Sequence, residues 1–109
     1  MNLTLNVYDK TGKEVIKTAK SSTYDLSFGT IRKLMALLKI EELENDAEML
    51  KTVFNAWEEI TSVLSTVFPD IEEDEWDNVK LKELIPVVVD IAKFSITDTL
   101  AIPSNKSKN

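Results

Sequence analysis

Residues 46–68 read DAEMLKTVFNAWEEITSVLSTVF. Placed at about 100° per residue, Met49, Leu50, Val53, Phe54, Trp57, Ile60, Val63, Leu64, Val67 and Phe68 fall on one half of a helical cylinder. Lys51, Thr52, Asn55, Glu58, Glu59, Ser62, Ser65 and Thr66 fall on the other half. The pattern predicts one long amphipathic central helix, with a stripe wide enough to face two neighbours. Its ends are marked as well. Asn45 can cap the first turn, with Glu48 three residues on as in a capping box. Phe68-Pro69 stops it, because proline biases the preceding residue away from helical angles.

Upstream, Leu3, Leu5 and Val7 alternate with Asn2, Thr4, Asn6 and Tyr8, the period of a half-buried strand. Asp9 to Lys13 is turn chemistry, with Gly12 free to take a positive φ. Glu14 to Ala19 returns antiparallel. Tyr24, Leu26 and Phe28 alternate again and predict a third strand. Ile31 to Ile40 then carries Ile31, Leu34, Met35 and Leu38 at helical spacing, with Arg32, Lys33 and Lys39 on its other side. Glu41 to Asn45 is a polar link.

Downstream, Asp70 to Asn78 is the most acidic stretch, with Ile71 and Trp76 as its large apolar groups. Lys80 to about Thr97 reads as a last helix through Leu81, Leu84, Ile85, Val88, Ile91 and Ala92. Pro86 either kinks it or begins it after a separate turn, since an interior proline deletes one hydrogen bond. Val87, Val88 and Val89 make this helix apolar nearly all round. That implies burial on several faces, inside the fold or against another subunit. The predicted fold is α+β, mainly α: a small N-terminal antiparallel β unit packed on about three helices, including the long central one. Residues 1–102 read as a single domain, with the β unit over 1–28 and the helical part over 30–98. Residues 103–109 read as a disordered polar tail.

Composition narrows function. The chain has 109 residues, 43% of them hydrophobic, enough for a packed core. It contains no Cys and no His, which removes the usual zinc sites, thiol nucleophiles and imidazole bases. No apolar run reaches the ~18 residues of a membrane span. Met1 to Thr4 lacks the features of a secretory signal. Net charge is −6 and unevenly placed. Residues 41–77 hold thirteen acidic side chains against Lys51, a net of −12, while residues 1–40 carry +4 and residues 78–109 carry +2. Such a middle repels phosphate and argues against nucleic-acid binding. It reads as a solvated acidic face, and the opposite-signed segments can pair within the molecule or between copies.

No constellation of catalytic residues stands out. Glu58 and Glu59 have no spacing that fixes a partner. A calcium loop begun at Asp70 would need Gly at position six and an acid at position twelve, where Glu75 and Leu81 stand. Gly29 is alone in its region, so no phosphate-binding loop is present. No catalytic, cofactor-binding or metal-binding residue is assigned. The candidate partner-binding residues are Trp57, Trp76, Val87, Val89 and Phe94. Trp57, at the centre of the stripe, is a core residue or an interface anchor. Trp76, among five acids, either holds the acidic loop down or stands exposed as an anchor.

Three features in order resemble the tail assembly chaperones of long-tailed, siphovirus-type bacteriophages of Gram-positive hosts. The first is a short β unit ending in Leu26-Ser27-Phe28-Gly29-Thr30 and leading into Ile31-Arg32-Lys33-Leu34-Met35. The second is the long amphipathic helix ending near Val67-Phe68-Pro69. The third is the acidic run Ile71 to Asn78 followed by Val79-Lys80-Leu81-Lys82-Glu83-Leu84-Ile85. The resemblance implies a non-enzymatic protein of the host bacterial cytoplasm. It implies binding to the tape measure protein, recruitment of tail tube protein, no cofactor and a possible homo-oligomer. It also implies a longer product made by programmed frameshifting, and Ser107-Lys108-Asn109 is compatible with the slippery codons TCA-AAA-AAC. The alternative from the residues is a small cytoplasmic adaptor or regulatory domain that uses the same helix for one fixed partner.

Overall fold

The structure, a computed structural model, describes residues 1–100, with side chains through residue 97. The tail expected over residues 103–109 lies outside the described residues. The architecture is α+β and mainly α: a two-stranded antiparallel sheet packed against four α-helices.

Strand β1 (Asn2–Tyr8) pairs with β2 (Val15–Ser22), with Leu5 opposite Ala19 and Leu3 opposite Ser21. The period-two pattern works as expected: Leu3, Leu5, Val7 and Ala19 are buried, and Thr4 and Thr18 are exposed. Register shifts at the turn end, from Val7 opposite Lys17 to Tyr8 opposite Val15, so Ile16 is the extra residue of a bulge. The turn is built by Asp9. Its Oδ1 accepts from the Thr11 and Lys13 backbone N–H groups at 3.1 and 3.2 Å. Gly12 sits at φ +76°, where a side chain would be strained.

The expected third strand is not formed. Thr23–Asp25 is a 3-10 turn, and Tyr24 and Phe28 are 78% and 77% exposed. Two serine caps defeat the alternation. Ser22 Oγ accepts from Tyr24 N at 3.2 Å, and Ser27 Oγ accepts from Thr30 N at 3.1 Å. Helix α1 therefore begins earlier than Ile31 and spans Phe28–Met35. A 3-10 turn, Ile40–Glu42, and buried Leu38 and Leu43 follow.

The long central helix is also corrected. The stretch forms two helices, α2 (Asp46–Asn55) and α3 (Trp57–Val67), divided at Ala56 with φ −120° and ψ 32°. Asn45 caps α2 as expected, Oδ1 accepting from Glu48 N at 3.0 Å. No proline or glycine marks the break. Its physical origin is tertiary: α2 packs on the last helix and the 40–42 turn, whereas α3 packs on α1. One straight rod cannot meet both sets of neighbours. The stripe is consequently not buried throughout. Met49, Val53, Ile60, Val63, Leu64, Val67 and Phe68 are buried, but Phe54 is 62% exposed.

Helix α4 (Leu81–Leu100) runs through Pro86 without interruption. It packs against β1, α1 and α2, so it is the element the core surrounds. Leu84, Val87, Val88, Ile91, Ala92 and Ser95 are buried along it, and Ser95 Oγ donates to the Ile91 carbonyl at 2.7 Å. The apolar girth of α4 is thus largely explained by contacts inside the fold. No helix among the described residues is long and apolar enough to cross a membrane.

Candidate binding groove

Helix α3 sets Trp57, Glu58, Thr61, Ser62 and Ser65 along one ridge, at successive spacings of one and three residues. Facing it is the segment after Pro69, which contributes Ile71, Glu73, Trp76 and Asp77. Between them lies a groove of about 790 Å³. A smaller recess of about 430 Å³ shares Trp57, Trp76 and Asp77 with it and adds Phe54, Val79 and Leu81. The two tryptophans, nineteen positions apart in the chain, therefore stand at the junction of an acidic, hydroxyl-lined compartment and an apolar one. These sizes fall in the range of sites that seat a side chain or small ligand.

The far wall is pinned to the sheet. Lys17 of β2 donates from Nζ to the Asp70 carbonyl at 2.8 Å and to Glu75 Oε1 at 2.7 Å. The same carboxylate accepts from Glu72 N at 2.8 Å, the reach-back of a capping box at the 3-10 turn Glu73–Asn78. The Glu72 N–H first, and Lys17 second, hold the Glu75 carboxyl below its ordinary value. Glu75 in turn holds the Lys17 ammonium above its own. At the other end Val79 bridges to Val7, and the Tyr8 hydroxyl donates to Glu83. That bond raises the phenol above its ordinary value. Lys80 Nζ lies 4.1 Å from the centre of the Tyr8 ring, a cation–π contact. A two-stranded hairpin alone is marginal in water. Here it packs on α4 and also clamps the acidic segment in place.

Of the sequence candidates, the structure brings Trp57 and Trp76 together and leaves Val87, Val89 and Phe94 elsewhere. Val87 is buried in the core, and Val89 is partly buried on α4. Phe94 makes an edge-to-face contact with Tyr24, ring centres 5.7 Å apart. Trp76 is a core residue of the wall, 3% exposed, rather than a free-standing anchor. Its indole N–H has no acceptor among the described residues, a deficit that costs about 1–3 kcal/mol. Trp57 is partly buried and borders both compartments. Phe54 and Leu81 were missed as site residues. The signal for Phe54 was the width of the apolar stripe, more than one layer of neighbours can cover.

A second cleft, about 510 Å³, lies between α1 and α3, where Arg32 and Lys33 share a lining with Glu58 and Glu59. Among the described residues, no group of three or more Asp or Glu side chains is placed to hold a metal ion. Chemically, the tryptophan groove can seat an apolar side chain and receive a cation or a hydrogen-bond donor beside it. No protein-family model matches the chain, and no curated protein and no solved structure matches it.

Proposed function

We propose that this chain is a non-enzymatic tail assembly chaperone of a long-tailed bacteriophage, acting in the host bacterial cytoplasm. It holds a segment of the tape measure protein in the groove bounded by Trp57 and Trp76 and assists tail tube assembly. The single observation that supports this reading most is the pairing of that apolar recess with an acidic rim on a wall clamped by Lys17. A chaperone for a long, helix-rich client needs an apolar seat and a soluble surround, and it needs no nucleophile. Large aromatics are the side chains that most often anchor such contacts. The order of sequence features in the family resemblance supports the same client.

The test is co-expression with any tape measure protein encoded in this chain's gene neighbourhood. The client is expected to remain soluble and to co-purify with the chain. A client that is equally soluble alone and never co-purifies would refute the proposal. A neighbourhood with no tail genes would favour the adaptor reading.

A further inference from the structure

We infer that the segment this groove takes is a basic amphipathic helix. An apolar side chain seats in the recess between Phe54 and Leu81, and a lysine or arginine beside it meets Glu73 and Asp77. This rests on the binding role proposed above and names the chemistry of the occupant.

Charge complementarity carries the inference. Among the described residues, no lysine or arginine lines either compartment. Among the described residues, the lysine side chains in ion pairs are already committed: Lys17 to Glu75, on the wall itself but outside both linings, Lys51 to Glu48 and Lys93 to Glu44. Glu58 borders the second cleft, where Arg32 and Lys33 offset it, but Glu73 and Asp77 lie on the opposite wall, away from that pair. Both are exposed carboxylates on a 3-10 turn fixed at its start by Glu75 and followed at once by the Val79–Val7 bridge. They therefore present a fixed negative edge rather than a mobile one. The surrounding net of −12 over residues 41–77 would speed the approach of a cationic partner. Trp57 offers its ring to a cation held at that edge. The apolar recess alone would accept any hydrophobic segment. Its continuity with the acidic edge, through Trp57, Trp76 and Asp77, selects one whose flank is basic. Helix-in-groove recognition uses this division of labour, apolar anchors for affinity and flanking charge for choice.

The probes are two helical peptides of about 18 residues, long enough to hold structure in water. They share leucine and phenylalanine anchors at helical spacing and differ in carrying lysine and arginine or glutamate on the flanking face. Binding to the full chain is followed by tryptophan fluorescence at low and high salt. The basic peptide should bind roughly tenfold tighter than its acidic twin at low salt, with the gap closing as salt rises. The double variant Glu73→Lys, Asp77→Lys changes only exposed side chains and should melt like wild type while losing that preference. Equal binding of both peptides, binding of neither, or a preference that survives the double variant would overturn the inference. So would a self-associated species in sedimentation that the double variant abolishes, because the groove would then belong to a second copy. If the tape measure protein still co-purifies with the double variant undiminished, the occupant's chemistry is wrong while the chaperone reading stands.

Discussion

Truncating the two tryptophans should separate a wall residue from a lining residue. Trp76 is 3% exposed and its ring buries roughly 150–250 Å² of surface. At about 25 cal/mol per Å² that is roughly 4–6 kcal/mol of burial, and measured Trp→Ala losses run at about 3–5. The same substitution removes an N–H buried without an acceptor, which returns about 1–3 kcal/mol. Trp76→Ala should therefore cost about 3 kcal/mol. Trp76→Phe keeps most of the ring and discards the orphan donor, so it should lie within about 1 kcal/mol of wild type. Trp57 is only partly buried and borders open space on two sides, so Trp57→Ala should cost less, about 2 kcal/mol. Urea unfolding followed by far-ultraviolet circular dichroism measures all three with a common slope. A Trp57→Ala loss larger than that of Trp76→Ala would refute the assignment of wall and lining. A Trp76→Phe loss as large as that of Trp76→Ala would refute the unsatisfied donor.

Three further outcomes follow from the fold. Glu75 sits below its ordinary value of 4.5 in the folded chain, so its contribution is present above that pH and is lost as pH falls through the folded value; the melting difference between wild type and Glu75→Gln should shrink on acidification from 4.5 downward. Gly12→Ala places a side chain at φ +76° and should destabilise by about 1–2 kcal/mol, seen as a lower urea midpoint with an unchanged slope. Asn45→Ala removes the cap on Glu48 N and should cost about 1 kcal/mol by the same assay, whereas Asn45→Asp should restore it.

Local chemistry made several elements readable from sequence. Leu3, Leu5 and Val7 show the strand, Asp9 and Gly12 the turn, and Asn45 the start of α2, because each is decided by neighbours within a few positions. Tyr24, Leu26 and Phe28 misled for the same reason: three alternating apolar residues are a short signal, and the hydroxyls of Ser22 and Ser27 beside them compete for the backbone. The break at Ala56 had no local marker. It follows from α2 and α3 facing different partners, which only the assembled fold decides. Pro86 leaves α4 continuous, and Val87 and Val88 of this apolar helix are buried against other elements of the same chain. The site was half legible. Trp57 and Trp76 stood out as large aromatics, but their meeting across the chain reversal at Pro69 was not encoded at helical or strand spacing. Phe54 looked like core because periodicity reports which face is apolar and not how much of that face is covered.

The most direct measurement is a titration of the isotopically labelled chain with the tape measure protein's segments, followed through its two indole N–H resonances. Binding in the groove should shift both indoles together with the amides of Glu73 and Asp77 for one segment, while the β1–β2 hairpin stays unmoved. Shifts confined to Tyr24, Phe28 and Phe94, with both indoles unchanged at saturation, would contradict it.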